Sequence, residues 1–252
     1  MRRRMKNMVN GMATSESAAQ ASAYNYAHFS LEHRTMDRLE GPKVGEAAPD
    51  FTAQRLADAE AVKLSDYRGQ TVVLETGSAT CPIYVGRIGP MNALAQRYPE
   101  VAFLVLYTRE AHPGENLGPH RSMADKVHHA RLLPDADGER RTVLVDDLTG
   151  SAHMAYGAMP NTAYVIDGTG TVVVRAQWND PELIDQTLEA LASGGPVPTS
   201  PQPGFPARLS QDRAAQDLFK RVMERSGQQA IADFERARPD IERLGARPPA
   251  TR

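Results

Sequence analysis

Two short apolar runs and the segment between them most restrict what this chain can fold into. "TVVLET" (Thr71 to Thr76) and "AFLVLYT" (Ala102 to Thr108) have the composition of buried strands. Between them lies "CPIYVGRIGPMNALAQRYP", where Tyr84, Ile88, Met91, Ala95 and Tyr98 recur by threes and fours, as on one helix face. Strand, helix, strand in that order implies a crossover that leaves the two strands parallel. Pro82 suits the first helical turn, where its missing N–H costs nothing. Pro90 and the nearby glycines predict a kinked or weakened middle.

The pattern continues downstream. "HRSMADKVHHARLL" (His120 to Leu133) reads as a helix and "TVLVDD" as a strand. "TAYVIDGTGTVVVRAQ" reads as a hairpin turning at Asp167 to Gly170. "DPELIDQTLEALA" opens a helix with Asp180 as N-cap and Pro181 in the first turn. Upstream, Ala48 to Glu75 resembles the redoxin entry segment, which implies a small hairpin before the first central strand. The sum is an α/β protein with the layout of a thioredoxin-like fold: a central mixed sheet flanked by helices.

The flanks differ in composition. Residues 1–40 form an Ala/Ser-rich N-terminal extension, partly helical, and residues 41–193 the folded core. Residues 194–206, "GGPVPTSPQPGFP", form a Pro/Gly linker that supports neither helix nor sheet. Residues 207–252 form a charged helical tail, in which Leu218 and Val222 share one face, as do Ile231 and Phe234. Pro239 interrupts that pattern.

Net charge is −2, which gives no global basic field and argues against a nucleic-acid partner. The basic stretch from Arg2 to Lys6 reads as a solvated tail, and it lacks the apolar segment of a secretory signal. No apolar run approaches transmembrane length, so no membrane association is expected. The chain has one cysteine and therefore no internal disulfide, which fits a reducing, cytoplasmic setting.

That cysteine, Cys81, falls where the first strand run gives way to the helix. The N–H groups and dipole of a helix N-terminus favour an anion, so a thiol there should ionise more readily than usual. A thiolate is a nucleophile; the alternative is an inert, buried thiol. No second cysteine follows to make a two-cysteine redox motif. A peroxiredoxin-type P-x-x-x-[ST]-x-x-C is matched by Ser78 but has Leu74 in place of proline.

Taken together, "GSATCP", "FLVLYTREAHPGE", "PHRSMADKVHHARLL" and "SAHMAYGA…YVIDGTGTV" resemble the iodothyronine deiodinase family, over about Val44 to Leu191. The resemblance puts Cys81 where that family has selenocysteine. It implies catalytic roles for Cys81, His120, Glu110 and His112, with His120 as proton donor. It implies substrate contacts for Tyr107, Thr80 and Ser78, and for Trp178 with Arg175 near a substrate-gripping arginine position. Three residues depart from the family pattern: Ala79 stands where the family has a second cysteine, Arg109 replaces an acidic residue, and Trp178 replaces that arginine. Glu110 and His112 lie two apart and would share a face on a strand. Read without the resemblance, Glu110 and His112 are equally polar residues at a strand end, Tyr107 a core residue and His120 a solvent-facing helix start. His128 and His129 read as a solvated helix face, and no close Cys/His set predicts a metal site.

The implied activity is reductive dehalogenation of an iodinated aromatic compound by a selenium-free thiol oxidoreductase. It needs no cofactor, only an external thiol reductant such as glutathione or a thioredoxin-like protein. Two alternatives stand beside it. One is a one-cysteine peroxidase or thiol reductase acting on peroxide; the other is a non-catalytic redoxin whose tail binds a partner. The residues leave a homodimer open.

Overall fold

The computed structural model describes residues 17–33, 39–201 and 212–245. The Arg2 to Lys6 stretch and residues 202–206 of the expected linker lie outside these residues. Residues 17–24 form a helix, α1. The core follows as β1 (Thr52–Arg55), β2 (Ala61–Lys63), β3 (Val72–Gly77), α2 (Pro82–Arg97) and β4 (Ala102–Tyr107). Next come α3 (Met123–Ala130), α4 (Leu132–Ala136), β5 (Thr142–Val145), α5 (Ser151–Ala155), β6 (Ala163–Ile166), β7 (Val172–Ala176) and α6 (Pro181–Ser193). The tail adds α7 (Arg213–Ser226) and α8 (Gln228–Gly245).

The strands form one sheet in the order β2-β1-β5-β4-β3-β6-β7. The pairs β3–β4 and β4–β5 are parallel, as the crossovers require; every other pair is antiparallel. This is a thioredoxin-like fold. Helices cover both faces of the parallel strands, which is why every residue of β3 and β4 is buried and their sequences are nearly continuous apolar runs. Leu74, Leu104, Leu106, Leu144 and Tyr164 pack on one face. Val105, Tyr107, Val143 and Val145 pack on the other, against Tyr84 and Ile88 of α2.

Local signals account for most boundaries. Asp180 caps α6 by accepting from the Glu182 N–H, with Pro181 in the first turn. α2 runs unbroken through Pro90 to Arg97, and α8 runs through Pro239. Each proline removes one helical N–H donor, and packing holds the helix together across the gap. The stretch His120 to Leu133 is not one helix. Ser122 caps α3 by accepting from the Asp125 N–H, so His120 lies in the loop before it. α3 ends at Ala130, four residues before Pro134, whose ring would clash with that carbonyl in a continuous helix.

The two flanks dock onto the loop that follows β4. The Arg109 guanidinium donates to the carbonyls of Tyr24 (3.0 Å) and His33 (3.3 Å) and lies over the rings of Tyr24 and Tyr26. Tyr26 donates its hydroxyl to the Ala111 carbonyl. From the other end of the chain, Arg225 pairs with Asp137 at 2.9 Å and donates to the Ala79 carbonyl. Ser226 donates to the His112 carbonyl and accepts from the Asn116 N–H. Gly114 makes that approach possible, since a Cβ there would sit 2.3 Å from the Ser226 carbonyl oxygen. Phe29 and Phe234 meet where the two flanks touch. Among the described residues, no helix is long and apolar enough to cross a membrane.

Candidate active site

The site forms at the carboxyl ends of β3 and β4. β3 stops at Gly77, where a Cβ would collide with the Tyr84 ring at 2.5 Å. A short turn follows, and Cys81 becomes the N-cap residue of α2 in extended conformation. Cys81 is 2% exposed and packs with Tyr84, Val85, Tyr107 and, from α7, Val222. The helix N-terminus is therefore where the sequence predicts it, but the thiol is buried, in a cluster to which α7 contributes Val222.

One residue before the cysteine, Thr80 ties the turn to Glu110. Glu110 Oε2 accepts from the Thr80 N–H at 3.1 Å and from its hydroxyl at 2.6 Å. The other oxygen, Oε1, accepts from the Tyr107 hydroxyl. It also lies 3.2 Å from His120 Nε2 and 3.3 Å from His129 Nδ1. The Glu110 side chain is 1% exposed and that of His120 0%. A buried carboxylate normally demands such partners.

The ionisation states follow from this packing. Burial pushes the Glu110 carboxyl up, but the hydrogen bonds from His120 and His129 outweigh it and hold the group well below the usual carboxylate range. Burial lowers the His120 pKa more than Glu110 raises it, which favours the neutral imidazole. Neutral His120 donates from Nε2 to Glu110, and its Nδ1 has no hydrogen-bond partner among the described residues. Burial, then the Glu110 charge, raises the Tyr107 phenol, so it stays protonated.

Not every residue singled out in the sequence joins this cluster. Ser78 and Thr80 are fully buried, and their hydroxyls accept from the N–H groups of Ala111 and His112. They stitch the β3 turn to the loop after β4. Glu110 and His112 do not share a strand face: β4 ends at Tyr107 and the chain then turns. Glu110 faces inward, while the His112 ring packs against Phe29 (4.4 Å between centroids) and Phe234 (5.7 Å). Arg175 pairs with Tyr164 across β6–β7 and so shares the Tyr164 face of the sheet, opposite Tyr107. Its guanidinium donates to the carbonyls of Leu39, Gly41 and Pro42. Trp178 packs against Leu39 and Met159. Neither is brought to the Glu110 cluster.

His129 corrects the sequence reading. It is not on a solvated face; its side chain is 12% exposed and turned to Glu110, while neighbouring His128 is exposed. Helical spacing offered a signal. Lys126 and Ala130 on α3 and Leu133 on α4 are buried, and His129 borders that stripe. The expectation of no close ligand set also fails in its premise, because the ligating atoms of Glu110, His120 and His129 all lie within 4.8 Å of one another. A cleft of about 910 Å³ opens beside His120, bordered by Pro119, Arg121 and Leu148 and by Ala21 and Asn25 of the N-terminal segment.

With one thiol at the strand-to-helix turn and no second thiol to pair with it, the chain falls among single-cysteine proteins of the thioredoxin-like fold. A family profile described as iodothyronine deiodinase matches residues 1–178, more than half of the chain, and the chain belongs to that family. Thyroxine 5-deiodinase of Ovis aries is 35% identical over 112 residues, covering 40% of this chain and 38% of the sheep protein. Type I iodothyronine deiodinase of Xenopus laevis is 26% identical over 181 residues, covering 66% and 71% of the two chains. The chain thus spans well under half the length of the sheep relative. Among solved structures, a hypothetical protein from Sinorhizobium meliloti superimposes with TM-score 0.54 at 16% identity, covering 66% of this chain and 93% of its own. An uncharacterized conserved protein from Geobacillus kaustophilus gives TM-score 0.52 at 23% identity, covering 63% and 88%. These two likenesses concern the fold alone.

Proposed function

We propose that the chain reductively dehalogenates iodinated aromatic compounds through a Cys81 thiolate, with an external thiol as reductant. The thiolate attacks iodine; the carbon–iodine bond breaks and its electron pair stays on the ring carbon. The products are a sulfenyl iodide on Cys81 and an aryl carbanion, which takes a proton to become the arene. An external thiol then attacks the Cys81 sulfur, releases iodide and a proton, and leaves a mixed disulfide. A second external thiol reduces that disulfide and restores Cys81. The chain has no other cysteine to resolve the intermediate internally.

His120 supplies the proton in this scheme. To do so it first takes a proton from solvent: the imidazolium is steadied by the Glu110 carboxylate at Nε2–H, gives its Nδ1 proton to the carbanion, and returns to neutral imidazole. Thr80 couples that carboxylate to the cysteine turn. The observation that carries the reading is this buried carboxylate, which faces two imidazoles and is held by Thr80, the residue before the helix-capping cysteine, in a chain of the deiodinase family.

Iodide release from iodinated phenols, with a dithiol present, tests it. Cys81→Ser should abolish turnover, and His120→Ala should slow it by about two to four orders of magnitude. Unchanged iodide release by Cys81→Ser would sink the proposal. Consumption of hydroperoxide with no iodide release would move the assignment to a one-cysteine peroxidase.

A further inference from the structure

We propose that Glu110, His120 and His129 form a binding site for a divalent transition-metal cation such as Zn²⁺. Two of the three ligand-to-ligand distances match such an ion, and all three ligating atoms lie within 4.8 Å of one another. Zinc binds imidazole nitrogen and carboxylate oxygen at about 2.0–2.2 Å, and the edge of a tetrahedron of that size is about 3.3–3.6 Å. Glu110 Oε1 lies 3.2 Å from His120 Nε2 and 3.3 Å from His129 Nδ1.

The hydrogen bonding points the same way. A carboxylate oxygen offers about two lone-pair directions. Oε1 faces three donors: the Tyr107 hydroxyl and both imidazoles. A cation relieves this crowding, because it takes a lone pair from Oε1 and one from each imidazole nitrogen, and leaves Tyr107 to its hydrogen bond. Thr80 holds the other carboxylate oxygen from behind, the kind of outer support that orients metal ligands. Two imidazoles and a carboxylate suit zinc or cobalt better than calcium or magnesium. The cleft bordered by Pro119, His120 and Arg121 lies beside the cluster, and His129, at 12% exposed, is the most accessible of the three ligands.

One feature opposes the ion. Lys126 is buried one turn before His129 on α3, and its positive charge repels a dication. Affinity should therefore lie in the micromolar range rather than that of closed structural zinc sites. Bound metal would occupy His120 Nε2 in place of the proton shared with Glu110, so the loaded form cannot become the imidazolium that acts as acid. Binding is read directly, and it stands or falls apart from the dehalogenation reading.

The experiment is a Co²⁺ titration of the full chain, followed by the visible absorption of tetrahedral cobalt, with Zn²⁺ as competitor. One ion per chain is expected, displaced by one equivalent of Zn²⁺. His129→Ala should weaken binding by more than about tenfold, and His128→Ala, one residue away and exposed, should not. His129→Gln, closer in volume, serves if His129→Ala does not fold, judged by its melting transition. The proposal is overturned if wild type shows no saturable binding tighter than about 1 mM. It is equally overturned if the His129 variant that folds binds within about tenfold of wild type.

Discussion

At the scale of single residues, Thr80 decides more than its size suggests. Its hydroxyl donates to Glu110 and accepts from the His112 N–H, and it has no exposed surface. Thr80→Val keeps the shape and removes both bonds. It should cost about 1–3 kcal/mol in urea unfolding, because a buried carboxylate and a buried N–H each lose a partner. Thr80→Ser should recover most of that loss; if it does not, the methyl group rather than the hydroxyl matters. Glu110, Tyr107 and His120 were legible in the sequence because they sit in ordered, family-like strings. His129 was not: the neighbouring pair His128–His129 gives no clue which ring turns inward until the pitch of α3 is fixed. The readings of Trp178 and Arg175 as substrate contacts rested on position in a string alone. Strand register puts Arg175 on the opposite sheet face from Tyr107, and Trp178 packs with Leu39 and Met159.

At the scale of elements, α7 and α3 carry the next two predictions. Leu218 and Val222 were readable as one helix face, and both pack on the core cluster that contains Cys81. Where that face docks was not readable, since Arg225 reaches Ala79 and Ser226 reaches His112 across more than a hundred residues of chain. Arg225→Ala removes the clasp on the cysteine turn. Iodoacetamide should then label Cys81 at least several-fold faster, while labelling of the unfolded chain stays unchanged; equal rates in the folded proteins would mean α7 does not limit access. Within α3, Lys126 is buried, donates to the Asp147 carbonyl at 2.7 Å, and has its pKa lowered by burial to about 8. The unfolded chain holds this proton up to about pH 10.5, so between about 8 and 10.5 it binds more protons than the folded one. Stability should therefore rise with pH across that window, and below pH 8 the full cost, on the order of 3 kcal/mol, is present. Lys126→Met should flatten that part of the stability profile. A rise of the same steepness in the variant would assign it to another group.

For the whole molecule, the parallel sheet and its hairpin were legible because apolar runs, helix spacing and turn residues all agreed. The charged core beneath α2 was not. Arg141 donates to Glu139 and Glu75, with its side chain 1% exposed and both carboxylates at 0%. Tyr84 adds a hydroxyl to Glu139, and Asn161 and Asn179 each donate to Glu75 at 2.7 Å. Read along the chain, Glu139 and Arg141 look like an ordinary polar loop, since nothing local marks a charge as buried. Arg141→Met should destabilise the fold by about 3–5 kcal/mol, measured by denaturant unfolding, because two carboxylates lose their counter-charge. Loss of less than about 1 kcal/mol would mean the network relaxes into solvent.

The docking of α7 and α8 onto the loop after β4 also imposes an order in time. A ribosome makes the sheet, Cys81 and the Glu110 cluster before it makes Val222, Arg225 and Ser226. Throughout that interval the nascent core lacks the α7 side of the cluster that buries its thiol and the Arg225 bond to the cysteine turn. Pulse alkylation of chains stalled before residue 213 should therefore modify Cys81 faster than in released protein, which would put this thiol's most vulnerable moment during the chain's own synthesis.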